Sequence, residues 1–156
     1  MTIAPVTCTI ELSQPPEKAF ALFTTRTVEW WGRGTPGANP AVAIVIEPRA
    51  GGRWFERDAQ GAETQWGDVI AFDPPTRLLL AWRLDAGFRY DPRVDSEVEI
   101  RFEPVAAGGT RVSLEHRRLE TLGVGVEAAA AKIAEGWPAQ VAAFARWAAE
   151  ADAPAS

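Results

Sequence analysis

Cysteine is nearly missing from this chain: there is one, Cys8, in 156 residues. A single cysteine excludes an internal disulfide framework and every multi-cysteine metal site. It also leaves a reducing compartment open. Histidine and tyrosine are equally scarce, one each, at His116 and Tyr90. No His/Asp/Glu cluster stands at ligand spacing, so no metal and no other cofactor is expected. Basic residues fall short of acidic ones, 16 against 21, for a formal net charge of −5, and no Lys/Arg cluster offsets that deficit. A nucleic-acid partner is therefore not expected. Long apolar runs are lacking too. The longest, Ala41 to Ile46, is far short of the roughly 20 residues a membrane helix needs. The opening Met1-Thr2-Ile3-Ala4-Pro5 has neither the charged nor the apolar region of a signal peptide. The expectation is a soluble, cytoplasmic protein with one domain over 1–150 and a flexible tail over 151–156.

What the chain does have is aromatic bulk. Seven Trp and seven Phe stand beside one Tyr, and rings of that size fill cores or line ligand cavities. Val6-Thr7-Cys8-Thr9-Ile10-Glu11-Leu12 alternates apolar and polar, the period of a half-buried strand. Pro15-Pro16 can then open a helix carrying Ala19, Phe20 and Phe23. A second short helix carries Val28, Trp30 and Trp31, and Gly34, Pro36, Gly37 and Pro40 mark a loop. From Ala41 onward strand follows strand, over 41–47, 52–58, 63–72, 77–85, 95–103 and 110–117. Turn chemistry separates them, with Gly51-Gly52, Asp73-Pro74-Pro75 and Asp91-Pro92 as its clearest marks. Connections that short imply an antiparallel meander, since parallel neighbours need long crossovers.

Alternation assigns the faces. Val98, Ile100 and Phe102 share one face, continued by Val112, Leu114 and His116 on the next strand. Glu97, Glu99 and Arg101 lie on the other, within reach of Arg111 and Glu115 across the ladder. The apolar face needs a cover. Residues 124–150 supply it: Ile133, Trp137, Val141, Phe144 and Ala148 recur at helical spacing. Gly136 and Pro138 should kink that helix. The whole is an α+β helix-grip arrangement. A curved antiparallel sheet of about seven strands, with two short helices after the first, grips a long C-terminal helix around a cavity.

In this order and spacing the residues look familiar. Pro15-Pro16-Glu17, Phe20, Phe23-Thr24, Trp30-Trp31, Glu47-Pro48-Arg49, Gly51-Gly52-Arg53-Trp54 and Trp66-Gly67 are the first half of the pattern. Asp73-Pro74-Pro75, Trp82, Glu97-Val98, Phe102, Gly109-Thr110, Leu114 to His116 and Gly136-Trp137 continue it. The chain resembles the SRPBCC (START-like) superfamily. Within it, the resemblance is to the bacterial branch named after the activator of heat-shock-protein ATPase, the AHSA family. That resemblance implies a fold and a cavity rather than one reaction, because the superfamily spans carriers, receptors, cyclases, hydrolases and chaperone co-factors. The frequent Pro after the paired Trp is Gly32 here, and a further N-terminal domain like that of the eukaryotic chaperone activators is not expected.

The cavity candidates are Trp31, Trp54, Glu56, Trp66, Asp68, Trp82, Phe88, Phe102, His116, Trp137 and Val141. Trp66 and Trp82, facing inward, would form a flat apolar wall with indole N–H donors at its edge. Glu56 and Asp68 share strand parity with Trp54 and Trp66, so either could add a polar contact. His116 could bind a ligand oxygen, or be a core histidine. The resembled fold sets the first and last strands side by side, which would bring Cys8 toward His116, although a free cysteine is usually inert. The function expected is a binding protein for a small hydrophobic or aromatic molecule. The alternatives are a cyclase- or hydrolase-like enzyme using His116, Glu56 or Asp68 as acid or base, and a stress-response chaperone co-factor. A homodimer is also left open.

Overall fold

The structure, a computed structural model, describes residues 3–31 and 34–151. Strand β1 (Val6–Leu12) leads into helices α1 (Pro16–Thr25) and α2 (Thr27–Trp30). Six strands follow: β2 (Ala41–Ile46), β3 (Arg53–Asp58), β4 (Glu63–Asp73), β5 (Arg77–Trp82), β6 (Ser96–Pro104) and β7 (Thr110–Arg117). Helix α3 (Val126–Ala151) comes last. All seven strands form one antiparallel sheet in the order β1-β7-β6-β5-β4-β3-β2. The meander is local from β2 to β7, and β1 completes the sheet beside β7, with Val6 opposite His116 and Cys8 opposite Leu114. This is the helix-grip architecture the alternation implies.

Pro16 stands at the start of α1, where its missing N–H costs nothing. That helix buries Ala19, Phe20, Leu22 and Phe23. Phe102 of β6 meets Phe20 and Phe23 edge-on, with ring centroids 5.1 and 5.8 Å apart. Along α3 the expected stripe is buried throughout, at Ile133, Trp137, Val141, Phe144 and Ala148. The helix runs through Pro138 as one 26-residue element. Among the described residues, no helix is long and apolar enough to cross a membrane.

The edges differ from expectation in detail. Strand β5 stops at Trp82, and Leu84 makes only an isolated bridge to Tyr90. Ala151 closes α3, while positions 152–156 of the expected tail, like Gly32, lie outside the described residues. On the outer face Glu97 and Glu99 pair with Arg117, not with Arg111, which reaches Glu11 instead. Register decides this. Arg117 lies opposite Glu97, whereas Arg111 lies opposite Glu103 and Glu11 at the far end of β7. Burial works against ionising Glu99, but the bonds from Arg77 and Arg117 and the charge of Arg101 outweigh it and hold its pKa below the usual value.

Candidate functional site

Between the sheet and α3 lies a cavity of about 320 Å³. Trp66 and Trp82 come from neighbouring strands, Trp137 and Ile133 from α3, Trp31 from the end of α2, and Leu84 and Phe88 from the segment after β5. The rings form one connected set. Trp31 stands 5.0 Å from Trp66 and 5.8 Å from Trp137, and Trp82 stands 5.9 Å from Trp137. Trp54 closes the floor behind them, at 5.3 Å from Trp66 and 5.8 Å from Trp82. Tilted and edge-on contacts of this kind fix each ring by its neighbours.

His116 sits behind the Trp137 wall, wholly buried, and does not line the cavity. Trp137 Nε1 donates to His116 Nδ1 at 3.1 Å. On the other side Nε2 lies 3.1 Å from Ser96 Oγ, whose own hydroxyl is given to the Trp82 carbonyl at 2.7 Å. An indole can only donate, and a hydroxyl has a single proton. Nδ1 is therefore the acceptor and Nε2 carries the hydrogen. Burial alone drives the imidazole pKa down to about 3, so the ring is neutral near pH 7. It ties the wall on α3 to strands β5 and β6.

Glu56 plays the same part at the other wall. Its carboxyl group accepts from Trp66 Nε1 at 2.9 Å, from the Gly37 amide at 2.9 Å and from Thr35 Oγ1 at 2.7 Å. One buried side chain thus fastens both the ring and the loop 34–40, of which Gly34, Thr35 and Pro36 line the cavity. Trp82 Nε1 donates to the Leu84 carbonyl at 3.2 Å. Three of the wall indoles therefore spend their N–H groups on the protein. This corrects the expectation that Trp66 and Trp82 offer donors to a ligand. Trp31 differs, since its Nε1 is buried with no hydrogen-bond partner.

At the mouth, Phe88 holds a left-handed backbone with φ of 60°. Such a conformation costs of order 1–3 kcal/mol in a non-glycine residue and persists only where neighbours over-determine it. Here the Asp85 carbonyl accepts from Phe88 N at 2.8 Å, and Asp85 Oδ1 accepts from the amides of Gly87 and Arg89. Lys132 and Gln140 of α3 complete the lining. Among the described residues, no group of three metal-ligating side chains occurs.

Five of the eleven sequence candidates line this cavity: Trp31, Trp66, Trp82, Phe88 and Trp137. Trp54, Glu56 and His116 form the layer behind them. Phe102 and Val141 are buried core residues outside the lining. Asp68 is on the opposite face, where it binds Arg83 Nε at 2.6 Å. The reason is a bulge: Trp54 pairs with Gly67 but Phe55 pairs with Gln65, so Trp66 is the extra residue and period-two counting fails beyond it. A Cβ at Gly67 would overlap the Ala81 carbonyl oxygen, so the bulge requires glycine there. Trp30, beside Trp31 in the sequence, is core, packed on Phe23 and Phe144. Cys8 is half-buried, and burial pushes its thiol up to about 11, which leaves no thiolate for a dyad with His116. Sequence reasoning missed Thr35, Leu84, Lys132 and Gln140. Lys132 was within reach, as the neighbour of Ile133 on the apolar stripe.

A family model described as activator of Hsp90 ATPase homolog 1-like protein matches residues 13–149. No curated protein matches the chain. Among solved structures, an anthrahydroquino-gamma-pyrone synthase, Txn09, is similar at 32% identity, over 93% of this chain and 97% of that one, with a TM-score of 0.66. The self-sacrificing resistance protein CalC from Micromonospora echinospora is similar at 29% identity, over 97% of both chains, with a TM-score of 0.71. Protein MLL2253 from Mesorhizobium loti shares the fold at 21% identity, over 97% of this chain and all of that one, with a TM-score of 0.68.

Proposed function

This chain belongs to the activator of Hsp90 ATPase homolog 1-like family, and from that premise we propose that it binds a small planar aromatic or hydrophobic molecule between the sheet and α3. The observation that carries this reading is the cavity itself. Its 320 Å³ falls within the roughly 300–1,000 Å³ of small-molecule sites. A cavity of about 150 Å³ takes one benzene, so this one suits about two or three fused rings. Its walls are indole faces, and the N–H groups of Trp66, Trp82 and Trp137 are already satisfied on the protein side. Filling it therefore costs little polar desolvation, and flat rings can meet flat rings.

A thermal-shift series tests the proposal, comparing planar bicyclic and tricyclic aromatics with linear acyl chains of similar size. A ligand at about a hundredfold excess over Kd adds about 2.7 kcal/mol, which for a chain of this length raises Tm by about 5–10 °C. Gly136→Leu fills the cavity from α3 and should abolish the shift while leaving the protein folded. No shift with any compound at millimolar concentration would refute the reading.

A second reading, a cavity enzyme of cyclase type, is favoured by the 32% identity to a synthase. Glu56 and His116 stand behind the walls as positioning residues, so such an enzyme would act mainly by imposing a folded conformation on its substrate.

A further inference from the structure

Lys132 is the one charged side chain among the described residues that line the cavity. It is exposed on α3 at the mouth, and no ion pair joins it to any described residue. The arginines of the outer face behave otherwise: Arg77, Arg83, Arg101 and Arg117 each hold a carboxylate. An unpaired cation beside an apolar cavity, in a chain of net charge −5, asks for a partner.

The other polar groups of the lining point the same way. The indole N–H groups of Trp66, Trp82 and Trp137 are committed to Glu56, the Leu84 carbonyl and His116. The Thr35 hydroxyl is committed to Glu56. The Gln140 amide contains both a donor and an acceptor, so it does not discriminate between ligands. What is left to meet a ligand is the Lys132 ammonium, since the unpartnered Trp31 N–H is closed off from solvent. The ammonium is a donor only. A cationic ligand would be repelled at the mouth, and a neutral one would leave the ammonium to water. A ligand oxygen bearing negative charge pairs with it, while its rings take the place between the indoles.

We propose that Lys132 makes this cavity selective for an anionic aromatic ligand, a fused-ring acid whose carboxylate faces the ammonium while its rings lie against Trp66, Trp82 and Trp137. The inference rests on the cavity reading above and adds the charge class of the ligand. The ammonium on its flexible stem can reach over the mouth while its methylenes cover apolar surface.

Titration calorimetry with 2-naphthoate and 2-naphthamide, equal in shape and different in charge, separates the two readings. The wild-type chain should bind naphthoate about three- to tenfold more tightly than the amide, the size of a partly solvated charged hydrogen bond. Lys132→Gln should erase that preference, and Lys132→Glu should reverse it. Raising the salt concentration should narrow the gap, because the mouth is solvated. Equal binding of both compounds would overturn the charge selectivity and leave the cavity reading standing. A preference that survives Lys132→Gln would overturn the assignment to Lys132. Binding of neither would overturn both readings together.

Discussion

The indole N–H of Trp137 and Nδ1 of His116 stand 3.1 Å apart, and this bond decides the protonation of the only histidine. A proton on Nδ1 would face a donor-only group and break the link between α3 and the sheet. Burial holds the folded pKa near 3, against an ordinary value of 6.5. A depressed folded pKa means that the unfolded chain takes up the proton first. Stability is then complete above about pH 6.5 and falls as the pH drops toward 3.

That linkage gives the first prediction. Denaturant unfolding at pH 7.0 and pH 5.0 should show the wild-type chain losing about 2 kcal/mol, at roughly 1.4 kcal/mol per pH unit below about 6.5. The carboxylates with lowered pKa, Glu29, Glu99, Asp58, Glu63 and Asp91, begin from 4.5 or 3.8, so their loss comes mostly below this window. His116→Leu should be about 1–3 kcal/mol less stable at pH 7, because the Trp137 N–H loses its acceptor. In that variant the dependence between pH 7 and 5 should vanish. An unchanged slope would remove His116 from the linkage.

Glu56 supports the second prediction. Glu56→Ala leaves Trp66 Nε1, the Gly37 amide and Thr35 Oγ1 without their acceptor. Stability should fall by about 3 kcal/mol, at the scale of several buried groups left unpaired. Amide exchange at Gly37 should quicken more than exchange in β6, since the loop loses its anchor and the sheet does not. Equal acceleration at both sites would show that Glu56 serves the fold as a whole and does not specifically fasten the loop.

The third prediction concerns the bulge in β4. Gly67→Ala forces a methyl group against the Ala81 carbonyl, a backbone clash that no rotamer relieves. The cost should be about 3–5 kcal/mol, among the larger values for a single substitution. Gly61→Ala, in a turn with open space around it, meets only the left-handed backbone penalty of about 1 kcal/mol. Similar losses at the two glycines would argue against the bulge.

That bulge also marks how far the sequence can be read. The faces of β6 and β7 were legible because Val98, Ile100, Phe102, Val112 and Leu114 alternate without interruption and pair in register. The stripe of α3 was legible for the same reason at its own period. Strand β4 was not: register shifts occur beside Trp54/Phe55 and again between Val69 and Ala71, so parity placed Asp68 on the wrong face. The only trace in the sequence is Gly67, which the close approach of β5 demands. The indole bonds were equally hidden, because Glu56, His116 and the Leu84 carbonyl become partners only once strands and helix converge.

The central claim is that a planar molecule enters the space between the sheet and α3, and the seven Trp side chains report on it one by one. Indole N–H signals of the labelled protein should be followed by two-dimensional NMR as 2-naphthoate is added. The expected result is saturable movement of Trp31, Trp66, Trp82 and Trp137, which line the cavity. Trp147, which packs on Phe144 and Arg26 outside the lining, should hardly move. Saturable shifts confined to Trp147, or none at the four lining residues, would contradict the account.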